Sequence, residues 1–187
     1  VRATDLNGCT IVTLPVTIVA PPVITATGLV TSNYNGSQIS CNGASDGIIT
    51  VTASGGTGVL AYVLNELPGN VTGAITGVFI GLPPNTYTIR VTDKNGCFIN
   101  TLPVTIAQPP ALTVGSSVTS NYNGSQLSCN GASDGIITAT STGGTGVRSY
   151  ALVELPANVT GATTGIFTGL PAGSYTVRVS DINGCNL

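Results

Sequence analysis

The sequence predicts an all-β chain of tandem β-sandwich domains. Three observations carry the prediction: an 88-residue repeat, strand-period alternation within each repeat, and reversal signals between the alternating runs. Cys9, Cys97 and Cys185 are evenly spaced (97 − 9 = 88 and 185 − 97 = 88), as are Cys41 and Cys129 (129 − 41 = 88). No insertion or deletion interrupts the period, and about two-thirds of aligned positions are identical, which marks an array. Solenoid repeats run about 20 to 50 residues and cannot bury a core alone, so units this long are expected to fold as beads on a string.

Boundaries are expected at Ala20-Pro21-Pro22 and Gln108-Pro109-Pro110, where paired prolines force an extended connector and cannot continue a central strand. Residues 1–20 then read as the C-terminal tail of a preceding repeat, 21–108 as a complete repeat, and 109–187 as a second repeat lacking its last strand. The chain opens inside a motif, without a charged start and apolar run, and reads as a piece of something longer.

Within the complete repeat, Ile49 to Ser54 alternates as a half-buried strand should. In Thr86 to Thr92 the residues Tyr87, Ile89 and Val91 share one face, while the threonines and Arg90 share the other. Thr101 to Ile106 reads as an edge strand, because Pro103 cannot donate to a ladder. Its counterpart in residues 11–18 is expected to be the last strand of the preceding bead, so 109–187 would offer an open edge to a donor from another chain. Gly55-Gly56-Thr57-Gly58, Leu67-Pro68-Gly69-Asn70 and Lys94-Asn95-Gly96 mark reversals, and Asn35-Gly36 suits a type I′ hairpin. About seven strands per repeat fit a two-sheet sandwich of the immunoglobulin-like type.

Composition narrows the function. Five Lys and Arg, scattered singly in a chain of net charge −2, form no basic patch, so no nucleic acid is expected as a partner. The apolar runs are far shorter than the roughly 20 residues of a spanning helix, so no membrane insertion is expected in this segment.

Each complete repeat holds two cysteines, and pairing within the repeat is the simplest arrangement: Cys41 with Cys97 and Cys129 with Cys185, leaving Cys9 unpaired. Persisting disulfides point to an oxidising compartment, hence an extracellular or cell-surface location. Free, buried apolar thiols are the alternative. Zinc fits poorly, because the cysteines are isolated and His is absent.

Cys41-Asn42-Gly43-Ala44-Ser45-Asp46-Gly47, Thr50 to Gly58, Gly81-Leu82-Pro83, Tyr87 to Asp93 and Asn95-Gly96-Cys97 together resemble the SprB-type repeat. The same motifs return at Cys129 to Gly135, Ser141 to Gly146, Gly169 to Val177 and Asp181 to Cys185. The resemblance implies a giant surface adhesin of the Bacteroidetes, of the gliding-motility kind exported by type IX secretion.

No catalytic, cofactor or metal site is expected. The seven acidic residues stand singly near turns, and acid–base catalysis needs paired titratable groups. Calcium at Asp46 and Asp93 is the sharper reading, but Asp near Gly commonly caps turn amides. Tyr34 and Tyr122, at hairpin tips, are candidate surface contacts with an adjoining bead or a sugar ring. Tyr87 and Tyr175 belong to the core, with the hydroxyl bonded to nearby backbone as in a tyrosine corner. Asn35, Asn70, Asn123 and Asn158 are glycosylation sequons.

The expected function is structural: stalk repeats of an extracellular bacterial adhesin or filament, not an enzyme. Its partners would be neighbouring repeats of the same chain or identical chains in a filament. The alternative is a multivalent carbohydrate- or cell-binding module, with a surface polysaccharide as partner and affinity built from many weak copies.

Overall fold

The computed structural model describes residues 1–187 and contains strands but no helix. A short hairpin comes first, β1 (Arg2–Thr4) against β2 (Thr10–Val12). Its strands pair only with each other, and Leu14, Val16 and Ile18 beyond it are exposed. Residues 11–18 therefore make no ladder with the unit that follows.

The first full unit has eight strand segments. One antiparallel sheet runs β3 (Thr25–Val30), β4 (Gly47–Ser54) and β6 (Val78–Leu82). The other runs β5 (Ala61–Leu64), β8 (Ile89–Thr92) and β9 (Phe98–Asn100), while β7 (Asn85–Tyr87) pairs with β10 (Val104–Ile106). Ile49, Val51, Phe79 and Leu82 from the first sheet meet Tyr62, Leu64, Ile89 and Val91 from the second in one buried cluster. Inward residues of two facing sheets thus form a single core, which makes the unit an immunoglobulin-like sandwich.

The second unit repeats this plan. Its strands β11 (Thr113–Val118), β12 (Gly135–Thr142), β13 (Ser149–Leu152), β14 (Ile166–Leu170) and β15 (Val177–Ser180) each begin 88 residues after β3, β4, β5, β6 and β8 (113 − 25 = 88). Order and register also match, down to the bulge that follows Gly47 and Gly135.

The expected single strand over 86–92 is divided at Thr88. Glu66 takes both donors of that residue, the amide at 2.8 Å and the hydroxyl at 2.7 Å, so Thr88 is withdrawn from the ladder. Here the chain changes partner, from β10 to β5 and β9, yet Tyr87, Ile89 and Val91 all remain buried. The strand expected over 101–106 is likewise shorter, because buried Thr101 accepts the Ile89 N–H on its hydroxyl.

Turn residues sit where backbone geometry demands them. Asn35 and Gly36 have φ of 52° and 95°, the left-handed pair a type I′ turn requires, and Tyr34 bridges to Ser37 across it. Tyr87 donates its hydroxyl to the Pro83 carbonyl at 2.9 Å, as Tyr175 does to Pro171, closing the corner that leads into β8 and β15. No helix is long and apolar enough to cross a membrane.

Candidate functional site

The most elaborate polar arrangement in the chain is the junction between the two full units. On the first unit it uses the loop from Asn33 to Gly43, which precedes β4. The Asn35-Gly36 turn folds this loop back, Ile39 anchors it in the core, and Ser32 holds it through its hydroxyl on the Gln38 carbonyl at 2.6 Å. From the second unit come the connector and the turn after β15. Asp181 shapes that turn by accepting the amides of Asn183 and Cys185 on one oxygen and that of Thr145 on the other.

The two sides lock through side-chain amides. Asn183 Nδ2 donates to the carbonyls of Tyr34 (3.2 Å) and Ser40 (3.0 Å), and its Oδ1 accepts from Asn35 Nδ2. Asn42 Nδ2 donates to the Pro109 carbonyl and Gly43 N–H to Gln108 Oε1 at the connector, while within the first unit Ala107 N–H donates to Gln38 Oε1. A disulfide between Cys41 and Cys185 closes the junction, with Cα atoms 5.7 Å apart across a separation of 144 residues.

This bond corrects the expected pairing. Cys41 does not bond Cys97, nor Cys129 Cys185; Cys9, Cys97 and Cys129 are exposed free thiols. The reason is the length of β4. Cys41 lies before Gly47 at one end of that eight-residue strand, whereas Cys97 lies with Asp93 and Gly56 beyond Ser54 at the other. Eight strand residues span roughly 26 Å, and a disulfide needs Cα atoms within about 7 Å. Cys97 and Cys41 stand at opposite poles of the sandwich.

Asp93 behaves as a turn cap. Its carboxylate accepts the amides of Asn95 and Cys97 on Oδ1 and of Thr57 on Oδ2, all at 2.9 Å. Asp46 accepts the Ser40 amide, and its main-chain carbonyl accepts the Tyr34 hydroxyl. Burial, followed by the nearby Asp46 carboxylate, pushes the Tyr34 phenol above its ordinary value. Tyr34 is half-buried at the junction; Tyr122, its counterpart, is exposed and keeps the same hydroxyl bond, to Asp134.

The sequon asparagines are largely engaged. Asn70 and Asn158 donate Nδ2 to the carbonyls of Ile80 and Thr168 and accept on Oδ1 from Thr72 and Thr160. Asn35 is committed to Asn183. Sequence reasoning missed Asn183, Gln108 and Gln38. A signal for Asn183 is present, since Asn7 and Asn95 recur at the 88-residue interval in the same Asp-x-Asn-Gly-Cys turn, but a turn motif by itself does not show what its side chain reaches.

One comparison bears on this arrangement. A model of the SprB repeat matches residues 33–68 and 121–153, and each match begins in the hairpin loop that forms the junction in the first unit. Among solved structures, a C-terminal 282-residue fragment of intimin in complex with the intimin-binding domain of the translocated intimin receptor is 14% identical, with a TM-score of 0.36. The likeness covers 90% of this chain and 62% of that one. An intimin mutant of EHEC O157:H7 is 10% identical with a TM-score of 0.35, covering 86% of this chain and all of that one. No curated protein matches the chain.

Proposed function

From the two segments that match the SprB repeat, we propose that this chain is a stretch of stalk repeats from an extracellular bacterial surface adhesin or filament. The observation that carries the reading is the junction: two copies of one sandwich are joined by a disulfide and by amide pairs that restrict rotation at the Pro-Pro connector. Such a joint suits a shaft, whose job is to hold successive units at fixed spacing. Engaged carboxylates such as Asp93 and Glu66, each capping backbone amides, support a structural rather than a catalytic reading.

The parent is a surface protein of the gliding-motility adhesin type, carried out of the cell by type IX secretion. Its partners are neighbouring repeats or identical chains, with surface polysaccharide as the ligand of the competing reading. Immunogold labelling of intact cells with antibody against residues 21–108 tests the proposal. Label along surface fibres is the expected result, and label confined to permeabilised cells would sink it. A glycan array probed with the 187-residue chain should stay blank; specific binding would favour the multivalent carbohydrate-binding module.

A further inference from the structure

The three side-chain amides that donate across the junction all precede glycine: Asn35-Gly36, Asn42-Gly43 and Asn183-Gly184. An Asn-Gly step is where a polypeptide most readily attacks its own side chain, because glycine puts no Cβ in the way of ring closure and its backbone turns freely. Gly184 is exposed, and nothing lies within 4 Å of where a Cβ would stand, so solvent base reaches its nitrogen once the turn moves.

In the closed junction the nitrogens that would attack are all held. Gly184 N–H donates to the Asp181 carbonyl at 3.1 Å, Gly43 N–H to Gln108 Oε1 at 2.9 Å and Gly36 N–H to Asn33 Oδ1 at 2.8 Å. Asn183 is the most constrained of the three side chains. It is half-buried, both hydrogens of Nδ2 are donated, its Oδ1 accepts from Asn35, and the neighbouring Cys185 is bonded to Cys41. Ring closure needs its Cγ to swing onto the Gly184 nitrogen. The three hydrogen bonds oppose that movement, so it waits on local opening of the junction.

We infer that Asn183 is a site of spontaneous deamidation, shielded while Cys41–Cys185 is closed, whose conversion leaves the junction permanently loosened. The Gly184 nitrogen gives its proton to solvent base and bonds to Asn183 Cγ. The Cγ–Nδ2 bond breaks, and Nδ2 leaves as ammonia with a proton from water. Water then adds to a carbonyl of the five-membered imide and opens it, giving aspartate or isoaspartate at position 183. Nothing is oxidised or reduced.

The product no longer fits. An ordinary Asp titrates at about 3.9, so at neutral pH a carboxylate stands where an amide stood. Its oxygens face the Tyr34 and Ser40 carbonyls, which Nδ2 meets at 3.2 and 3.0 Å, and it can donate to neither. Like partial charges oppose one another where two hydrogen bonds were, and the isoaspartate form also lengthens the main chain next to Cys185.

Because the modification concerns the junction alone, its test is independent of where the protein is found in the cell. The 187-residue chain is prepared in two forms with free thiols alkylated, one with the disulfide intact and one with it reduced first. Both are held at mildly alkaline pH, and peptide mapping with isoaspartate-specific methylation follows Asn183. Asn95, which occupies the same turn in the first unit, is the reference. The rate at Asn183 relative to Asn95 should rise roughly tenfold or more on reduction. An unchanged ratio would overturn the inference. A second arm examines the product. Asn183 lies outside both core clusters, so substitution there empties neither core. Excess dithiol should reduce Cys41–Cys185 faster in Asn183→Asp than in Asn183→Ala, since the first adds a charge where the second only removes donors. Reduction of Asn183→Asp no faster than that of Asn183→Ala would also overturn it.

Discussion

Asn35 and Asn183 face each other across the two units, with Asn35 Nδ2 donating to Asn183 Oδ1 at 2.6 Å. Asn183 also commits both of its amide hydrogens here, since its own Nδ2 reaches the Tyr34 and Ser40 carbonyls beside the Cys41–Cys185 bond.

Replacing Asn183 by Ala removes those three bonds while sparing the disulfide. Each hydrogen bond contributes about 1 kcal/mol net, so the turn bearing Cys185 should open more often. The half-time for reduction of Cys41–Cys185 by excess dithiol should shorten severalfold, as read by mass spectrometry; an unchanged half-time would show the amide contacts to be incidental.

Thiol labelling gives a second expected outcome. A maleimide added to the native chain should modify Cys9, Cys97 and Cys129, all exposed, and spare Cys41 and Cys185 until a reductant is present. Native labelling of Cys41 would contradict the junction.

The segment copied at 14–18 and 102–106 predicts unequal costs for one substitution. Ile106→Ala empties a buried site and should cost about 2 to 5 kcal/mol, whereas Ile18→Ala in dilute solution should cost almost nothing. Urea unfolding of both variants distinguishes them.

The glutamates that withdraw Thr88 and Thr176 from the ladder set a pH dependence. Desolvation raises the Glu66 carboxyl, but the hydrogen bonds from Thr88 outweigh it and hold the pKa below the ordinary 4.5. The bonds from the Thr176 amide and hydroxyl lower Glu154 in the same sense. A folded-state value below the unfolded one gives stability that is complete above about pH 4.5 and lost as pH falls through the lower folded value. Melting temperature should therefore be level from neutrality down to that point and decline below it, and the double variant Glu66→Gln, Glu154→Gln should show a shallower decline.

Much of the fold was legible because its signals are local. Alternation over Tyr87, Ile89 and Val91 found the buried face, and the glycine after Asn35 found the turn. The disulfide was not legible for a physical reason. A repeat makes Cys97 and Cys185 equivalent in sequence, and only the length of β4, which sets the poles of the sandwich, decides which one Cys41 can meet. The division at Thr88 escaped for a similar reason, since it depends on Glu66, 22 residues away.

The bond from Cys41 to Cys185 also sets how the chain would answer a pull on its two ends. Residues 42 to 184, 143 in all, lie inside the covalent loop, so tension passes from one sulfur to the other and leaves them unstretched. At about 3.5 Å per extended residue, some 500 Å of contour is withheld for as long as the bond lasts. Both cores could melt under load and the molecule would lengthen by little more than its first 40 residues allow. Chemical reduction would release that reserve.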